Sequence, residues 1–324
     1  SKSQVQPCWS WKHAVTMAAS RQSSSMASRQ SSVPKHELPP VRLLVFGDSW
    51  VRSHVRDLRT WPELLGDRLG WLTVNAAMPG SGSDMLLEQA DDVETLLTEK
   101  SATLHDEAWA LVHSGGNDLL RGINEDFLGF VTRSALRSTC CCSACCCPIR
   151  LFDEVGDNME ALIERLHDDL GVKNVILVGL PLTIVTPFIA QLLGVLFDEY
   201  PCLARVAKFV VRRLNNMFNA GLRRRLRRFR RRANCEVGGF SFDAVRTLVI
   251  DEADCIEACS GGSGKPITGM WNDGIHPTQF GHEALAEEIY GRLESQFADP
   301  PSRGRCMGSG GATDSESDEE AYSS

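Results

Sequence analysis

The sequence predicts an α/β protein, a three-layer α/β/α sandwich whose central, mostly parallel sheet has about five strands. Two observations predict this class. Short apolar segments alternate with helical patterns along the chain, as in a parallel sheet that helices cover on both faces. Segments rich in glycine and polar residues follow several of the apolar ones, and the carboxyl ends of parallel strands would gather them at one edge of the sheet.

The predicted strands are short segments rich in aliphatic or aromatic residues. They are Arg42–Phe46, Leu72–Ala76, Trp109–Ser114, Val175–Leu182 and Gly238–Phe242. The first three are followed by the segments GDS, PGSG and GGND, which begin at Gly47, Pro79 and Gly115. We expect these three segments to face one crevice beyond the carboxyl ends of the strands.

Helices are predicted between and after the strands. One of them carries apolar residues at the i, i+3, i+4 spacing of a single buried face, namely Met159, Leu162, Ile163, Leu166 and Leu170. Further helices are predicted at Phe188–Phe197, at the basic segment Arg205–Arg232 and after His276, where the sequence TQFGHEALAEEIYGRL is amphipathic. This order of elements favours a doubly covered parallel sheet.

The segment from Val175 to Phe197 contains no charged residue and is long enough to span a bilayer. Gly179, Pro181 and Pro187 interrupt it, which favours a buried strand, a turn and a shorter apolar helix instead. We expect that helix to line or cover a substrate pocket.

The composition is that of an ordinary globular protein, with 324 residues, a formal net charge of −8 and 43% hydrophobic residues. The acidic balance argues against nucleic acid as the main partner. The chain has 12 cysteines, but half of them fall in one run and no signal-peptide pattern opens the sequence. The sequence therefore favours a reduced, intracellular setting, and it leaves the oligomeric state open.

We divide the chain into three parts. Residues 1–40 are rich in Ser and Arg, and we expect disorder there, with an organelle transit segment as the alternative. Residues 41–300 form the predicted folded domain, with a cysteine-rich insertion near 138–148 and an apolar-then-basic insert near 183–232. Residues 301–324 are an acidic tail that we also expect to be disordered.

Two unusual segments have ordinary explanations. The run CCCSACCC, Cys140–Cys147, lacks the spacing of roughly two to four residues that zinc ligands need, so we interpret it as a variable insertion, with palmitoylation as an alternative. The basic helix ends in LRRRLRRFRRR but has an apolar face to pack, so its arginines are expected on the solvated side. Peripheral contact with an anionic membrane stays open.

Asp273 precedes His276 by three residues on a segment that also contains Gly274 and Pro277, which predicts a loop. A carboxylate on one ring nitrogen of a histidine presents the other nitrogen as a general base. The pair is therefore a candidate for acid–base chemistry.

Four sequence blocks occur in the order GDSW, NAAMPGSG, HSGGNDLLRG and DGIHPTQFGHEAL. In content and order they resemble the four blocks of the SGNH or GDSL hydrolase family. The resemblance extends over most of the chain from Val41 to about Phe297, and it includes the supporting segments TWPELLGDRLG, VRRLNNMFNAGLRRRL and FSFDAV. The first and last blocks are the most specific.

The resemblance implies a flavodoxin-like SGNH hydrolase fold and a role for each matching residue. Ser49 matches the nucleophile, placed where the first strand passes into a helix. His276 matches the general base and Asp273 its orienting carboxylate. The backbone N–H groups of Ser49 and Gly80 and the side-chain amide of Asn117 match the oxyanion hole.

The implied reaction is ester hydrolysis through an acyl-enzyme, which needs no metal and no organic cofactor. The same triad also serves acyltransferases and carbohydrate deacetylases, so the acyl acceptor stays open. We expect Trp50, a bulky residue where the family often has leucine, to narrow the entrance beside the nucleophile. We expect Phe188 and Leu192 of the apolar helix to line the pocket, which favours a small-molecule ester or lipid-like substrate.

Other classes of protein fit the sequence less well. The G-x-S-x-G turn of α/β-hydrolases needs a second glycine where Val51 stands. The segment Gly261–Pro266 lacks the first glycine of a phosphate-binding loop and has Pro266 where a Ser or Thr would hold magnesium. A non-catalytic module that binds anionic membrane or RNA through Arg223–Arg232 is the alternative from outside the enzymes.

Overall fold

The structure is a computed structural model and describes residues 40–55, 57–125, 150–183, 185–191, 203–233, 245–261 and 269–298. Four predictions lie outside the described residues. They concern the disorder at the two chain ends, the cysteine run Cys140–Cys147 and a strand at Gly238–Phe242.

Within the described residues, five parallel strands form one sheet in the order β2-β1-β3-β4-β5. The strands are β1 Val41–Gly47, β2 Leu72–Asn75, β3 Leu104–His113, β4 Asn174–Val178 and β5 Arg246–Ile250. The chain moves outward from β1 to β2 and then returns to the other side of β1 for β3. This reversal leaves a crevice beyond the carboxyl ends of β1 and β3, the usual place for a ligand site in such a sheet.

Eight helices are described alongside the sheet. They are α1 Trp61–Leu69, α2 Leu86–Asp91, α3 Val93–Glu99, α4 Gly116–Glu125, α5 Arg150–Leu170, α6 Leu203–Ala233, α7 Glu252–Cys259 and α8 Gln279–Ala298. One buried cluster packs α2 to α6 against the sheet, and a second packs α1, α7 and α8 against it. Among the described residues, none of the helices is long and apolar enough to cross a membrane.

The central strands are apolar at successive positions because both of their faces are buried. In β1, Leu44 and Phe46 belong to one cluster, whereas Leu43 and Val45 belong to the other. The side chains of β3 and β4 alternate between the two clusters in the same way. Since successive side chains of a strand point to opposite faces, this pattern requires helices on both sides. The predicted three-layer α/β/α class is confirmed.

The last strand and two predicted helices have different outcomes. The fifth strand is Arg246–Ile250, with the sequence RTLVI, which was not among the predicted strands; its β-branched residues suit a strand that pairs with β4 from Asn174 to Val178. The basic helix is confirmed as α6. Of the apolar helix predicted at Phe188–Phe197, only residues up to 191 are described, and these are helical.

Candidate active site

Ser49 lies on a single turn that follows β1. The N–H groups of Val51 and Arg52 both donate to the carbonyl oxygen of Asp48, at 3.2 and 3.1 Å, and the helical turn stops there. The prediction that Ser49 starts a helix is therefore wrong, because α1 begins only at Trp61.

The start of α1 is determined by its own capping residues. The N–H of Thr60 donates to Glu63 Oε2 at 2.9 Å, its hydroxyl donates to the carbonyl oxygen of Val51 at 2.8 Å, and Pro62 occupies the first turn. Two helices begin within three residues of the end of a strand, α4 at Gly116 after β3 and α7 at Glu252 after β5. The N-terminal ends of these two helices, rather than of a helix at Ser49, lie at this edge of the sheet.

The backbone before the turn is held by a buried amide. Gly47 has φ +142°, and a Cβ atom there would lie 1.9 Å from the carbonyl oxygen of His113, so only glycine permits this approach of β1 and β3. Gln89 of α2 is fully buried; its Oε1 accepts from the N–H of Gly47 at 2.7 Å and its Nε2 donates to the carbonyl oxygen of Gly47 at 2.9 Å. Sequence reasoning missed Gln89, because one amide on an amphipathic helix has no diagnostic spacing.

Ser49, His276 and Asp273 form a continuous hydrogen-bonded chain. Ser49 Oγ lies 2.7 Å from His276 Nε2, and His276 Nδ1 lies 2.6 Å from Asp273 Oδ2. The serine is 227 positions from the histidine in the sequence, and it is 8% exposed in the structure. The fold thus brings together the three side chains that the sequence singles out for catalysis, in the arrangement of a nucleophile, a base and an orienting carboxylate.

The loop that carries the histidine is shaped by Asp273. Its Oδ1 accepts from the backbone N–H groups of Ile275 and His276, at 3.0 and 2.8 Å. Partial burial raises the pKa of Asp273, but the hydrogen bonds from the backbone and ring of His276 and from Ile275 outweigh burial and hold that pKa below its ordinary value. The carboxylate is therefore ionised at neutral pH.

The remaining motif segments adjoin the turn that carries Ser49. The N–H of Met78 donates to the carbonyl oxygen of Gly47 at 3.0 Å, and Asn117 Nδ2 donates to the carbonyl oxygen of Ser81 at 2.8 Å. Gly80 has φ +81°, and a Cβ atom there would meet nothing within 4 Å, so its backbone borders open space. The predicted oxyanion residues Gly80 and Asn117 thus lie on segments that hydrogen bonds connect to the end of β1.

A carboxylate beside Asn117 holds this loop in place. Asp118 accepts from both the N–H and the hydroxyl of Ser83, at 2.9 and 3.0 Å, and Asn158 of α5 donates to the same hydroxyl at 2.9 Å. Sequence reasoning missed the role of Asp118, although its place next to Asn117 was a usable signal. These bonds join the starts of α2 and α4 to α5.

The predicted pocket residues have different environments. Trp50 is only 5% exposed and packs edge-to-face against Trp271 at 5.9 Å, so its ring lies in the core beneath the site rather than at an open entrance. Phe188 is partly exposed, and its N–H donates to the carbonyl oxygen of Gly274 at 2.9 Å. Leu192 lies outside the described residues.

Part of the arginine-rich end of α6 is engaged within the protein. Arg225 is paired with three carboxylates of α5, those of Asp153, Asp157 and Glu160. Arg223 and Arg224 are exposed. The side chains of residues 227–232 lie outside the described set. The helix therefore has both a packing role and a basic surface.

A Ser–His–Asp chain at the switch point of a parallel α/β sheet is an arrangement typical of acyl-transferring hydrolases. The sequence comparison agrees with this class: residues 45–284 match the GDSL-like Lipase/Acylhydrolase family, and the chain belongs to that family. Membership makes the protein a hydrolase of esters at the level of the family. A search of the curated proteins found no match.

Several solved structures are similar to this chain. A lipase from a goat rumen metagenome is 15% identical, with 78% of this chain and 96% of that chain covered and a TM-score of 0.44. A catalytic mutant of an acetylxylan esterase from Geobacillus stearothermophilus is 16% identical, with 79% and 96% covered and a TM-score of 0.46. A carbohydrate esterase family 3 structure from Talaromyces cellulolyticus is 12% identical, with 80% and 99% covered and a TM-score of 0.39.

Proposed function

We propose that the protein is a serine esterase, which hydrolyses carboxylic esters through an acyl-enzyme on Ser49. The observation that carries this proposal is the hydrogen-bonded chain from Ser49 through both ring nitrogens of His276 to Asp273. A serine hydroxyl is a weak nucleophile until an adjacent base takes its proton, and the chain supplies that base together with its orienting carboxylate. Membership of a family of lipases and acylhydrolases supports an acyl substrate.

In the proposed reaction, Ser49 Oγ attacks the carbonyl carbon of the ester while its proton passes to His276 Nε2. Asp273 stabilises the imidazolium that forms. Collapse of the tetrahedral intermediate breaks the bond to the leaving alcohol, which takes the proton from His276. A water molecule then gives a proton to His276 and attacks the acyl group, and the acid leaves as Ser49 regains its proton.

The negative charge of the tetrahedral intermediate needs preorganised donors, and we assign this role to Ser49, Gly80 and Asn117. In the described part of the chain, no acceptor binds the backbone N–H of Ser49 or of Gly80. The amide of Asn117 has two N–H groups, and the carbonyl oxygen of Ser81 accepts one of them. Three donors are thus available near the carbonyl that Ser49 would attack.

We infer that the substrate is a small-molecule ester or a lipid-like ester. An apolar segment lies beside the catalytic loop, because the backbone of Phe188 is bonded to Gly274 between Asp273 and His276. A Cβ atom at Gly274 would lie 3.7 Å from Pro187, which describes the same close packing. An acyl chain attached to Ser49 would meet apolar side chains in this direction, and Leu192 is proposed as a further contact.

A fluorophosphonate probe tests the nucleophile, since it reacts covalently with activated serines. We expect stoichiometric labelling of the intact protein and complete loss of labelling and of 4-nitrophenyl ester hydrolysis in Ser49→Ala. Ser53→Ala removes a nearby hydroxyl outside the triad and serves as the matched control, which should label normally. Equal labelling of Ser49→Ala and the unmodified chain would overturn the proposal.

The acyl chain is tested with nitrophenyl esters from acetate to long-chain acids. A lipid-like substrate predicts that kcat/KM rises with chain length beyond acetate, because each buried methylene contributes roughly 0.8 kcal/mol. A sharp preference for acetate would favour a deacetylase instead, and transfer of the acyl group to an added sugar or alcohol in preference to water would favour an acyltransferase.

The non-catalytic module makes the opposite prediction. It requires an unlabelled protein that binds anionic liposomes or RNA, with binding reduced when Arg223 and Arg224 are replaced by glutamine. Labelling at Ser49 together with ester hydrolysis would exclude a purely non-catalytic role.

A further inference from the structure

A buried group of three ionisable side chains lies directly beneath the nucleophile turn, and the proposed reaction does not use it. Asp48 precedes the nucleophile, His113 ends β3, and Glu252 begins α7. Asp48 and His113 are each 1% exposed and Glu252 is 0% exposed. Groups of this kind are rarely buried so completely unless they bind one another.

The three side chains are in direct contact. His113 Nε2 lies 2.7 Å from Glu252 Oε2, and His113 Nδ1 lies 3.3 Å from Asp48 Oδ1. Among the described residues, neither the second oxygen of Glu252 nor His113 Nδ1 has a hydrogen-bond partner, so the contact between His113 and Asp48 is electrostatic. The histidine therefore joins the end of β1, the end of β3 and the start of α7, three elements that meet at the carboxyl edge of the sheet.

The carboxylates determine the charge of the histidine. Burial alone lowers the pKa of His113, but the negative charges of Glu252 and Asp48 outweigh burial and raise this pKa to about 10. Burial raises the pKa of Glu252, and Asp251 next to it acts in the same direction. His113 is thus an imidazolium throughout the neutral range.

The same histidine is linked to the loop that carries the general base. The ring of Trp50 lies nearly parallel to that of His113, with centroids 6.1 Å apart, and it meets Trp271 at 5.9 Å. Trp271 forms a β-bridge with Pro277, so the two residues bracket Asp273 and His276. An aromatic ring facing a buried cation is a favourable neighbour, and here it connects the two halves of the site.

We propose that His113 is a positioning residue: buried between the carboxyl groups of Asp48 and Glu252, it holds the Ser49 turn and the Asp273–His276 loop at the distance needed for proton transfer. An unbalanced carboxylate one residue before the nucleophile opposes the negative charge that develops on the substrate, and the imidazolium reduces this penalty. The catalytic part of this inference rests on the proposed function, whereas the charge of His113 does not.

NMR of protein labelled with 15N-histidine tests the charge without an activity assay. We expect one histidine, identified by the loss of its signals in His113→Gln, to keep both ring N–H groups at about pH 8.5, which is well above the ordinary histidine pKa of about 6.5. Glu252→Gln keeps the size of the side chain and removes one negative charge, so it should lower the pH at which His113 titrates. A neutral His113 at pH 8.5 in the unmodified protein would overturn the proposal.

Kinetics test the positioning role. In Glu252→Gln we expect kcat to fall roughly 10- to 100-fold with KM changed less than about threefold, since the loss is one of geometry and charge rather than of substrate contact. The alkaline limit of kcat should move to lower pH by the same amount as the NMR titration of His113, which a purely structural role would not produce. Glu257→Gln removes a carboxylate from the same helix and is the control; it should leave kcat and the alkaline limit of kcat unchanged.

Failure of the proposed function and failure of the positioning role of His113 give different results. If Ser49 is not the nucleophile, the unmodified protein fails the labelling test while the NMR titration of His113 is unaffected. If the labelling test succeeds and Glu252→Gln retains full kcat at every pH at which His113 is neutral, His113 has no positioning role and the inference is wrong.

Discussion

Asp273 combines two functions in one side chain. One oxygen binds the ring of His276, and the other binds two backbone N–H groups of the loop. Asp273→Asn keeps the size of the side chain but offers an N–H to a ring nitrogen that must itself donate, which favours the wrong tautomer. We expect kcat for nitrophenyl esters to fall roughly 10³- to 10⁴-fold with the fold intact. Asp67→Asn, at an exposed position in α1, is the control and should retain full activity.

Asn117 is the side-chain donor of the proposed oxyanion hole. Asn117→Ala removes an interaction that matters most in the transition state, so we expect kcat to fall roughly 10²- to 10³-fold with little change in KM. Asn158→Ala removes another amide that binds the same loop, through Ser83, and controls for loosening of the loop. An equal loss of kcat in both variants would mean that Asn117 acts only by holding the loop.

The site residues that could be predicted are those that residue type and the order of the sequence motifs identify. Ser49, Asn117 and His276 were found because they stand in motif segments at strand ends. Gln89 and Glu252 were not found, because their partners are a backbone group and a buried histidine on other elements. Only the packing of α2 and α7 on the sheet creates those contacts, and a single sequence contains no pattern that specifies them.

At the scale of elements, Gln89 of α2 hydrogen-bonds the end of β1. Gln89 Oε1 accepts from the N–H of Gly47. The carbonyl oxygen of Gly47 accepts from Gln89 Nε2, from the hydroxyl of Ser81 and from the N–H of Met78. Gln89→Ala leaves the buried N–H of Gly47 without its partner, so we expect the free energy of unfolding to fall by about 2–3 kcal/mol. Denaturant unfolding measures this change. Gln279→Ala, near the surface at the start of α8, should change it by less than about 0.5 kcal/mol.

The spacing of apolar residues was sufficient to predict the long helices, and it was insufficient to predict a short strand or the residue at which a helix begins. The predicted helix through Met159 and Leu166 is α5, and the basic helix is α6, because a long 3.6-residue period is unambiguous. The strand Arg246–Ile250 was not predicted, because a five-residue segment is too short for an unambiguous period. The helix expected at Ser49 was displaced to Trp61, because capping residues rather than propensity set where a helix starts.

At the scale of the whole molecule, two buried histidines make stability depend on pH in opposite directions. Burial, followed by the nearby charge of His276, lowers the pKa of His282 to about 4 from the ordinary 6.5. His282 accepts a hydrogen bond from the N–H of Trp61 at 3.3 Å in its neutral form. His113 has its pKa raised to about 10 from the same ordinary value of 6.5. Each histidine is 1% exposed, so solvent screens neither of them strongly.

The signs follow from proton linkage. Between pH 6.5 and about 4 the unfolded chain binds a proton that folded His282 does not, so the contribution of His282 to stability is lost as the pH falls. Between pH 6.5 and about 10 the folded protein keeps a proton on His113 that the unfolded chain releases, so that contribution is lost as the pH rises. The buried Glu252, whose pKa is also raised, acts in the same direction as His113.

We therefore expect each histidine to account for one arm of the stability curve. In His282→Gln, the glutamine oxygen can still accept the hydrogen bond from the N–H of Trp61, and the free energy of unfolding should depend less on pH between about 6.5 and 4. In His113→Gln, the free energy of unfolding should depend less on pH between about 6.5 and 9. Each proton contributes at most about 1.4 kcal/mol per pH unit to the slope. Urea unfolding at fixed pH steps measures the free energy of unfolding on both the acidic and the alkaline side. The alkaline series stops at pH 9.0, because burial raises the pKa of Cys259 to about 11 from 9.0 and its titration makes stability depend on pH above that point. Variants that lower stability equally at every pH would show that the two side chains act by packing alone and that neither proton is linked to folding.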